Sequence, residues 1–320
     1  MAGDPRARRP RLLVLGAGPA QLGLLEAARA RDLVVVAADA DAGAIGFPLA
    51  DKRALVSTED EQAIERLASA EEVDGLIAPG ADWPVGIAAR VAARLGLPHP
   101  VDPLAAALAT SKARQRERFV ETGVPHARAL DPRAPGLPLP CVVKASDRQG
   151  QRGLTLVRRR AELAPALREA AAESRSGAVL VEELVEGPEV TVNALSRGGR
   201  FQALTVTDRL TAEPPAFGVA LAHAWPSVHD PTAAVDAARA AVEALGLREG
   251  PSYTQLRLAP GGPRVMEVAA RLGGGHDAEL CEAALGFDLN AAALAAALGR
   301  RPCVPETQGA VAGGACVLFL

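Results

Sequence analysis

The first hundred residues alternate short apolar runs with segments of helical periodicity. The apolar runs are RLLVLGA, LVVVAAD and VDGLIAPG, and the helical segments are AQLGLLEAARAR, DEQAIERLASA and PVGIAARVAARLG. Short buried strands that alternate with helices are typical of a parallel sheet with crossover helices on its faces. The pattern therefore predicts an α/β domain over residues 1–100.

The pattern after residue 100 predicts a small separate lobe. LGLPHPVDP is a Pro-rich break, SKARQRERFVETGVP predicts a helix followed by a turn, and DPRAPGLPLP predicts a linker. The runs CVVKAS, GLTLVRR, RAELAPALREAAAE and AVLVEELV then follow. They predict a β–loop–β–α–β unit, which places a small lobe at about residues 128–187.

From residue 188 the pattern changes to antiparallel strands. EVTVNALSRGGRFQALTVTDR contains a Gly-Gly turn, and residues 252–271 predict a second hairpin. Ala-rich helices are predicted over residues 231–246 and 277–298. The second domain, residues 101–320, is therefore α+β in its C-terminal half, with a larger lobe at about residues 188–320.

The second hairpin carries the first candidate chemistry. A turn centred near Gly261 places Gln255 opposite Glu267, with their Cβ atoms about 5 Å apart. Amide and carboxylate oxygens suit Mg²⁺, and Arg271 beyond them suits a phosphate. An ordinary solvated sheet face remains the alternative on the hairpin alone. The period of two gives a polar face and an apolar face; the apolar face holds Leu256, Leu258, Met266, Val268 and Ala270.

Lys144 ends a predicted strand and precedes a loop that contains Gly150 and Gly153. A lysine beside a flexible glycine-containing loop can hold and cover nucleotide phosphates, although most lysines are solvated. The following segment, VLVEELVEGPEVTV, places acidic residues at 182, 183, 186 and 189 between strands that should be buried. Both segments favour a nucleotide site next to the hairpin.

Composition and charge exclude several classes of partner. The net charge of −3 gives no reason to expect nucleic acid, and no apolar run reaches the roughly 18 residues of a membrane helix. MAGDPRARRP is predicted to be a frayed leader, not a signal peptide. Four scattered cysteines without a CxxC disfavour a zinc site or disulfides and suit a reducing cytoplasm; they are Cys141, Cys281, Cys303 and Cys316.

The order of these segments resembles the ATP-grasp superfamily over about residues 11–300. The segments that carry the resemblance are the first α/β domain, SKARQRERFVETGVP, VVKASDRQGQRG, VEELVEGPEVTV and TQLRL…VMEVAARLGGGHDAEL. The last one is most similar to carboxylate–amine ligases and relatives of the carbamoyl-phosphate synthase large subunit. The resemblance implies an ATP-grasp fold preceded by a Rossmann-like domain, with ATP and Mg²⁺ or Mn²⁺ as cofactors.

The resemblance also implies roles for individual residues. Phosphate contacts fall to Lys112 and Lys144 under loop 146–153, which contains Gly150 and Gly153. Adenine contacts fall to Glu182 and the backbone of Leu184 and Val185, and ribose contacts to Glu189. Gln255 and Glu267 would hold the metal, and Arg271 would face the transferred phosphoryl group or the acylphosphate, so that Arg271 and Lys144 are the expected catalytic residues.

The implied activity is C–N bond formation between a small carboxylate and a small amine, in a cytoplasmic protein and a possible homodimer. One departure favours a non-catalytic ATP-binding relative, because Ala269 stands where the superfamily usually has an asparagine ligand. A third hypothesis is an NAD(P)-binding oxidoreductase. It depends on VLGAGPAQLGLLEAA with Asp39 after the next strand, although the spacing is not GxGxxG.

Overall fold

The computed structural model describes residues 8–213, 216–302 and 309–319. The first domain contains a four-stranded sheet in the order β3-β2-β1-β4, with every neighbouring pair parallel. This confirms the predicted parallel sheet with crossover helices. Its elements are β1 (Arg11–Leu15), α1 (Leu22–Ala30), β2 (Val34–Asp39), β3 (Lys52–Leu55), α2 (Glu61–Ala70), β4 (Gly75–Ile77) and α3 (Trp83–Leu95).

A helix that the pattern did not reveal begins at the end of the predicted Pro-rich break. Helix α4 (Pro103–Ala109) begins where the Asp102 carboxylate accepts a hydrogen bond from the Leu104 N–H. Proline is favoured at the first helical position because its missing N–H has no helical partner there. Helix α5 (Lys112–Thr122) follows, with the Ser111 hydroxyl as its N-cap and Gly123 in a left-handed conformation as its end.

The small lobe is a three-stranded antiparallel sheet with one helix on its face. Its strand order is β6-β5-β7, and its elements are β5 (Cys141–Ala145), β6 (Thr155–Val157), α6 (Arg160–Glu173) and β7 (Val179–Glu183). The predicted β–loop–β–α–β unit is confirmed. Its apolar residues form a hydrophobic cluster of their own, separate from the two clusters of the rest of the protein.

The C-terminal lobe is a six-stranded antiparallel sheet in the order β12-β11-β8-β9-β10-β13. Its strands are β8 (Glu189–Arg197), β9 (Arg200–Thr211), β10 (Ala220–Trp225), β11 (Gly250–Ala259), β12 (Gly262–Ala269) and β13 (Ala315–Leu318). Strand β13 lies within the segment GGACVLFL near the end of the described residues.

Three helices accompany this sheet, namely α7 (Thr232–Ala244), α8 (Asp277–Leu285) and α9 (Leu289–Ala297). The prediction of one helix over residues 277–298 is wrong, because the chain turns between α8 and α9. Gly286 adopts a left-handed conformation, and the Asp288 carboxylate accepts a hydrogen bond from the Ala291 N–H to begin α9. No helix within the described residues is both long enough and apolar enough to cross a membrane.

The β11–β12 hairpin has the predicted register at its most important position, because Gln255 pairs directly with Glu267. The register then shifts at a bulge, and Leu256 pairs with Val265. The bulge inserts Met266 as an extra residue and turns it towards the cavity described below. The prediction that Met266 belongs to the apolar face is therefore wrong, whereas Leu256 and Val265 are fully buried.

The first domain and the C-terminal lobe share their hydrophobic interior. One cluster joins Leu13 of β1 to Val268 of β12 and to α7, and a second joins Leu24 of α1 to Leu294 of α9. These two parts therefore pack as one body, with the small lobe beside them. Cys303 and residues 1–7 of the predicted leader lie outside the described residues.

Candidate active site

A cavity of about 400 Å³ lies where the first domain, the small lobe and the C-terminal lobe meet. Each part of the molecule contributes polar side chains to it. The first domain supplies Asp82, helix α5 supplies Lys112, and the small lobe supplies Lys144 and the loop that follows it. The C-terminal lobe supplies Glu189, Arg209, His223, Tyr253, Gln255, Arg257, Glu267 and Arg271.

Lys112 reaches the cavity from the first turn of α5. Its Nζ lies 2.8 Å from Glu267 Oε1 and donates a 2.6 Å hydrogen bond to the Arg148 carbonyl. Burial by itself would raise the pKa of Glu267, but the charges of Lys112, Arg271 and Lys144 hold it below its ordinary value. Glu267 is therefore an ionised carboxylate that is ready to bind a cation.

Lys144 is buried at the end of β5 and forms an ion pair with Glu182 of β7, which also accepts from Arg116 of α5. Burial lowers the pKa of Lys144 below its ordinary value, although Glu182 opposes the shift. The Glu182 carboxylate is fully buried and does not line the cavity. The Glu182 side chain therefore does not reach the cavity in which it was predicted to contact adenine, whereas Leu184 and Val185 line it.

Glu189 lies in the cavity wall within a cluster of donors. Its carboxylate accepts hydrogen bonds from Arg209 and Gln255 and from Arg257 Nη2 at 3.0 Å. The carboxylate, predicted to contact ribose hydroxyls, is therefore already held by three side chains. Through Gln255 it also connects the predicted ribose position to the predicted metal position.

The predicted metal ligands lie side by side. The Gln255 amide nitrogen donates to Glu189, which leaves the amide oxygen for a cation, and Glu267 faces Gln255 across the hairpin. Ala269 lines the cavity without offering a ligand. Within the described residues no three His, Cys, Asp or Glu side chains are grouped to hold a metal. The donors therefore fit a Mg²⁺ ion that keeps phosphate and water ligands, not an all-protein cage.

Arg271 follows β12 and lies nearly buried in the cavity wall. Its Nε is 2.7 Å from Asp82 Oδ1, and the Asp82 N–H donates a 2.6 Å hydrogen bond to Gln149 Oε1 in the loop of the small lobe. Burial lowers the pKa of Arg271, but Asp82 and Glu267 outweigh it and raise the pKa. The arginine is thus a fixed positive charge at the meeting point of all three parts.

Loop 146–153 is held on both sides of the cavity. Gln149 bonds to the first domain, and the Gln151 side-chain amide donates a 2.8 Å hydrogen bond to the Gly218 carbonyl of the C-terminal lobe. Gly150 lines the cavity, but Gly153 does not. A Cβ on Gly153 would lie 3.1 Å from the Ala170 Cα, so this glycine allows close packing against α6.

Comparison with known proteins identifies the domain that carries this cavity. Residues 137–279 match the family model for the ATP-grasp domain. The chain contains an ATP-grasp domain. The superfamily resemblance predicted from the five sequence segments is confirmed, and the matched residues include most of the cavity wall.

The curated relatives of this ATP-grasp protein are longer chains. Carnosine synthase 1 of Gallus gallus is 34% identical over 132 residues, which cover 40% of this chain and 14% of that protein. Carnosine synthase 1 of Homo sapiens is 31% identical over 147 residues, which cover 44% of this chain and 18% of that protein. An uncharacterised protein of Sinorhizobium fredii is 29% identical over 237 residues, which cover 70% of this chain and 48% of that protein. The chain thus spans less than half the length of these relatives.

Solved structures share the fold over most of the chain. L-amino acid ligase from Bacillus licheniformis superposes with a TM-score of 0.79 at 23% identity, covering 91% of this chain and 75% of that one. N5-carboxyaminoimidazole synthetase from Staphylococcus aureus, complexed with ADP, has a TM-score of 0.79 at 16% identity, covering 97% and 82%. The predicted ATP-grasp fold is confirmed. The ligase class and the ATP cofactor predicted here agree with these relatives.

The structure adds to the ATP-grasp site residues that the sequence analysis missed. Arg116 lies one helical turn after Lys112, which is a signal that both share one face of α5. Asp82 follows the carboxyl end of β4, where ligands of parallel sheets commonly bind. Tyr253 and Arg257 alternate with Gln255 along β11, so the period of two had already placed them on the face that lines the cavity. Arg209 of β9 carried no comparable signal.

The glycine turn that suggested NAD(P) is closed by the protein itself. The Ala17 N–H donates a 2.8 Å hydrogen bond to Asp39, and the Gly18 N–H donates a 2.9 Å bond to Gln21. These two amides are therefore not free to bind a pyrophosphate. A Cβ on Gly23 would overlap the Glu279 side chain of α8. This glycine therefore allows the first domain to lie close against the C-terminal lobe.

Proposed function

We propose that this chain is an ATP-dependent ligase that joins a carboxylate to an amine through an acylphosphate, with release of ADP and phosphate. The observation that carries the proposal is one cavity, beneath a glycine-containing loop, that combines two lysines, an arginine and paired amide and carboxylate oxygens. These residues are Lys112, Lys144, Arg271, Gln255 and Glu267. They match the needs of phosphoryl transfer, in which positioning and charge neutralisation supply most of the catalysis.

In this proposal the basic residues neutralise the phosphates of ATP and the transferred phosphoryl group. Lys112 and Lys144 would hold the phosphates of ATP, and Leu184 and Val185 would contact the base. Mg²⁺, bound through Gln255 and Glu267, would neutralise phosphate charge. Arg271 is oriented by Asp82 and would hold the transferred phosphoryl group.

The reaction would proceed in two displacements. A substrate carboxylate oxygen attacks the γ-phosphorus of ATP, and ADP leaves with the electrons of the broken P–O bond. The amine nitrogen then attacks the carbonyl carbon of the acylphosphate, and the C–O bond to phosphate breaks. The protein aligns the reactants and keeps water away from the acylphosphate, and loop 146–153 would cover the cavity during this time.

Amino acids are the proposed substrate class, because an L-amino acid ligase is among the solved structures that share the fold over most of this chain. The direct test is an ADP-release assay with Mg-ATP and the common amino acids, singly and in pairs. Carboxylate-dependent ADP release supports the proposal. Its absence with every amino acid, alone and in pairs, contradicts it.

Variants of two lysines test the nucleotide site. Lys144→Ala should abolish ATP binding, measured by calorimetry with Mg-ATP. Lys52→Ala is the matched control, because Lys52 is exposed and pairs with Glu71 in the first domain. Unchanged ATP binding by Lys144→Ala would remove the proposed nucleotide site.

Ala269 favours a second candidate, a non-catalytic ATP-binding protein. Ala269 lines the cavity beside the predicted metal position and offers no ligand atom. This candidate predicts nucleotide binding without ADP release in the amino acid screen. The same two assays therefore separate the two functions.

A further inference from the structure

A histidine and an aspartate form a buried pair on the C-terminal-lobe side of the cavity. His223 of β10 lines the cavity, and its Nδ1 lies 3.1 Å from Asp277 Oδ1 at the beginning of α8. Only 3% of the histidine side chain is exposed. The Phe319 ring packs edge-on against the imidazole, with ring centroids 5.4 Å apart. The imidazole is therefore held on two sides.

Asp277 is fixed by neighbours other than His223. The Asn193 amide donates a 3.3 Å hydrogen bond to Oδ1, and the Gly275 N–H donates a 3.3 Å bond to Oδ2. Burial alone would raise the pKa of Asp277, but its hydrogen bonds with His223, Asn193 and Gly275 outweigh this effect and hold the pKa below its ordinary value. Asp277 is thus an ionised acceptor in a fixed position.

Two of the three glycines at 273–275 lie directly against this pair. A Cβ on Gly273 would overlap the Asp277 carboxylate, and a Cβ on Gly275 would lie 3.0 Å from His223 Cε1. The backbone that leads from Arg271 to α8 passes directly against both side chains, and residues without a Cβ allow this approach. The segment therefore connects the phosphate-binding arginine to the histidine–aspartate pair.

The hydrogen bond to Asp277 determines which imidazole nitrogen can react. An ionised carboxylate accepts, so Nδ1 donates to Asp277, and in the neutral form of the ring Nε2 is the nitrogen with the lone pair. Within the described residues Nε2 is buried and has no hydrogen-bond partner. His223 lines the cavity, and a buried nitrogen that lacks a protein partner there suits a donor group of a substrate.

We propose, on the basis of the proposed ligase function, that His223 Nε2 accepts the proton of the attacking amine and that Asp277 is its positioning residue. The amine nitrogen forms the C–N bond to the acylphosphate carbonyl carbon. The C–O bond breaks, and phosphate leaves with its electron pair. One N–H proton of the amine passes to His223 Nε2, which afterwards releases it to phosphate or water. The same arrangement of base and orienting carboxylate serves in other acyl transfers.

Hydroxylamine distinguishes proton removal from the other steps. It is an unprotonated, strong nucleophile at neutral pH, so it traps an acylphosphate as a hydroxamate without a general base. The test uses the amino acid pair that gives the highest ADP release with the wild-type protein. His223→Gln and Asp277→Asn should form hydroxamate near the wild-type rate, whereas amide formation by His223→Gln should fall about 10²- to 10⁴-fold.

His276→Asn is the matched control. His276 has a left-handed backbone conformation, which asparagine tolerates, and it does not line the cavity. Both products should form at wild-type rates in this variant.

The outcomes separate the inference from the function beneath it. Unchanged amide formation by His223→Gln overturns the inference and leaves the ligase in place. Loss of both hydroxamate and amide by His223→Gln also overturns it, because the residue would then serve the first step or the fold. No ADP release and no hydroxamate from the wild-type protein would remove the ligase function and the inference together.

Discussion

The buried carboxylate of Glu182 should contribute more to stability than any surface acid, and Glu182→Gln tests this. The substitution keeps the size of the side chain and removes its charge. In the wild-type protein Glu182 forms ion pairs with Arg116 and Lys144. The exposed fractions of these side chains are 1% for Glu182, 3% for Arg116 and 9% for Lys144. The variant leaves two buried cations close together without their shared counter-ion.

The expected loss of unfolding free energy is about 3–5 kcal/mol, the usual cost of removing one partner from a buried ion pair. It is a large part of the 5–15 kcal/mol that a domain typically has. Lys144 should also bind ATP less well, because an unpaired buried lysine releases its proton more easily. Urea unfolding followed by circular dichroism measures the stability change, and calorimetry measures ATP affinity.

Glu183→Gln is the matched control, one residue along the same strand. Glu183 pairs with Arg128 at 3.4 Å, and the two side chains are 33% and 67% exposed. Such pairs contribute about 1 kcal/mol or less. If the two variants lose equal stability, the buried cluster does not have the role described here.

The pH dependence of Glu182→Gln provides a second check. Burial lowers the folded-state pKa of Lys144 below the unfolded value of about 10.4. Loss of the Glu182 charge should lower the folded-state pKa of Lys144 further. At pH values between the folded-state pKa of the variant and that of the wild type, only the folded variant binds fewer protons than its unfolded chain, so its stability rises relative to the wild type. The deficit of the variant relative to the wild type should therefore shrink as the pH approaches 10, and a constant deficit would contradict this assignment.

Three further substitutions test other parts of the site. Ala269→Asn should add a metal ligand and lower severalfold the magnesium concentration that half-saturates ADP release; unchanged metal affinity and turnover would refute the placement of the hairpin ligands. Gly273→Ala should lower the free energy of unfolding in urea by about 1–3 kcal/mol, because the new Cβ would overlap Asp277. Gly261→Ala is its control: the nearest atom to the new Cβ is 3.6 Å away, so the free energy of unfolding should change by no more than about 0.5 kcal/mol. Gln149→Ala removes a bond between the loop and the first domain, so the ratio of ADP to amide should rise as acylphosphate hydrolyses; an unchanged ratio would exclude a role in water exclusion.

The fold was largely predictable because its signals are local. Apolar runs and helical periodicity were sufficient for the parallel sheet, the small lobe and the hairpins. The pairing of Gln255 with Glu267 followed from counting outward from a turn. The bulge that redirects Met266 was not predictable, because a one-residue shift in pairing depends on the neighbouring strands and leaves no pattern in the sequence.

The site was only partly predictable because its partners are distant in sequence. Lys112, Lys144, Gln255, Glu267 and Arg271 all line the cavity, as the segments suggested. The burial of Glu182 against Lys144 depends on a side chain from α5, so the short acidic run around it gave no indication of this placement. The pairing of His223 with Asp277 joins residues 54 positions apart, and each one alone is an ordinary polar residue.

The shared interior of the first domain and the C-terminal lobe determines how a nucleotide can enter. Separating those two parts would expose the apolar clusters that join them, whereas the small lobe has its own cluster. Entry is therefore expected to swing the small lobe alone about the chain between β7 and β8. Lys144 moves with this lobe, while Lys112, Gln255, Glu267 and Arg271 stay on the fixed part. The phosphate site would then assemble anew in each catalytic cycle, and one of its three basic residues would arrive only when the lobe returns.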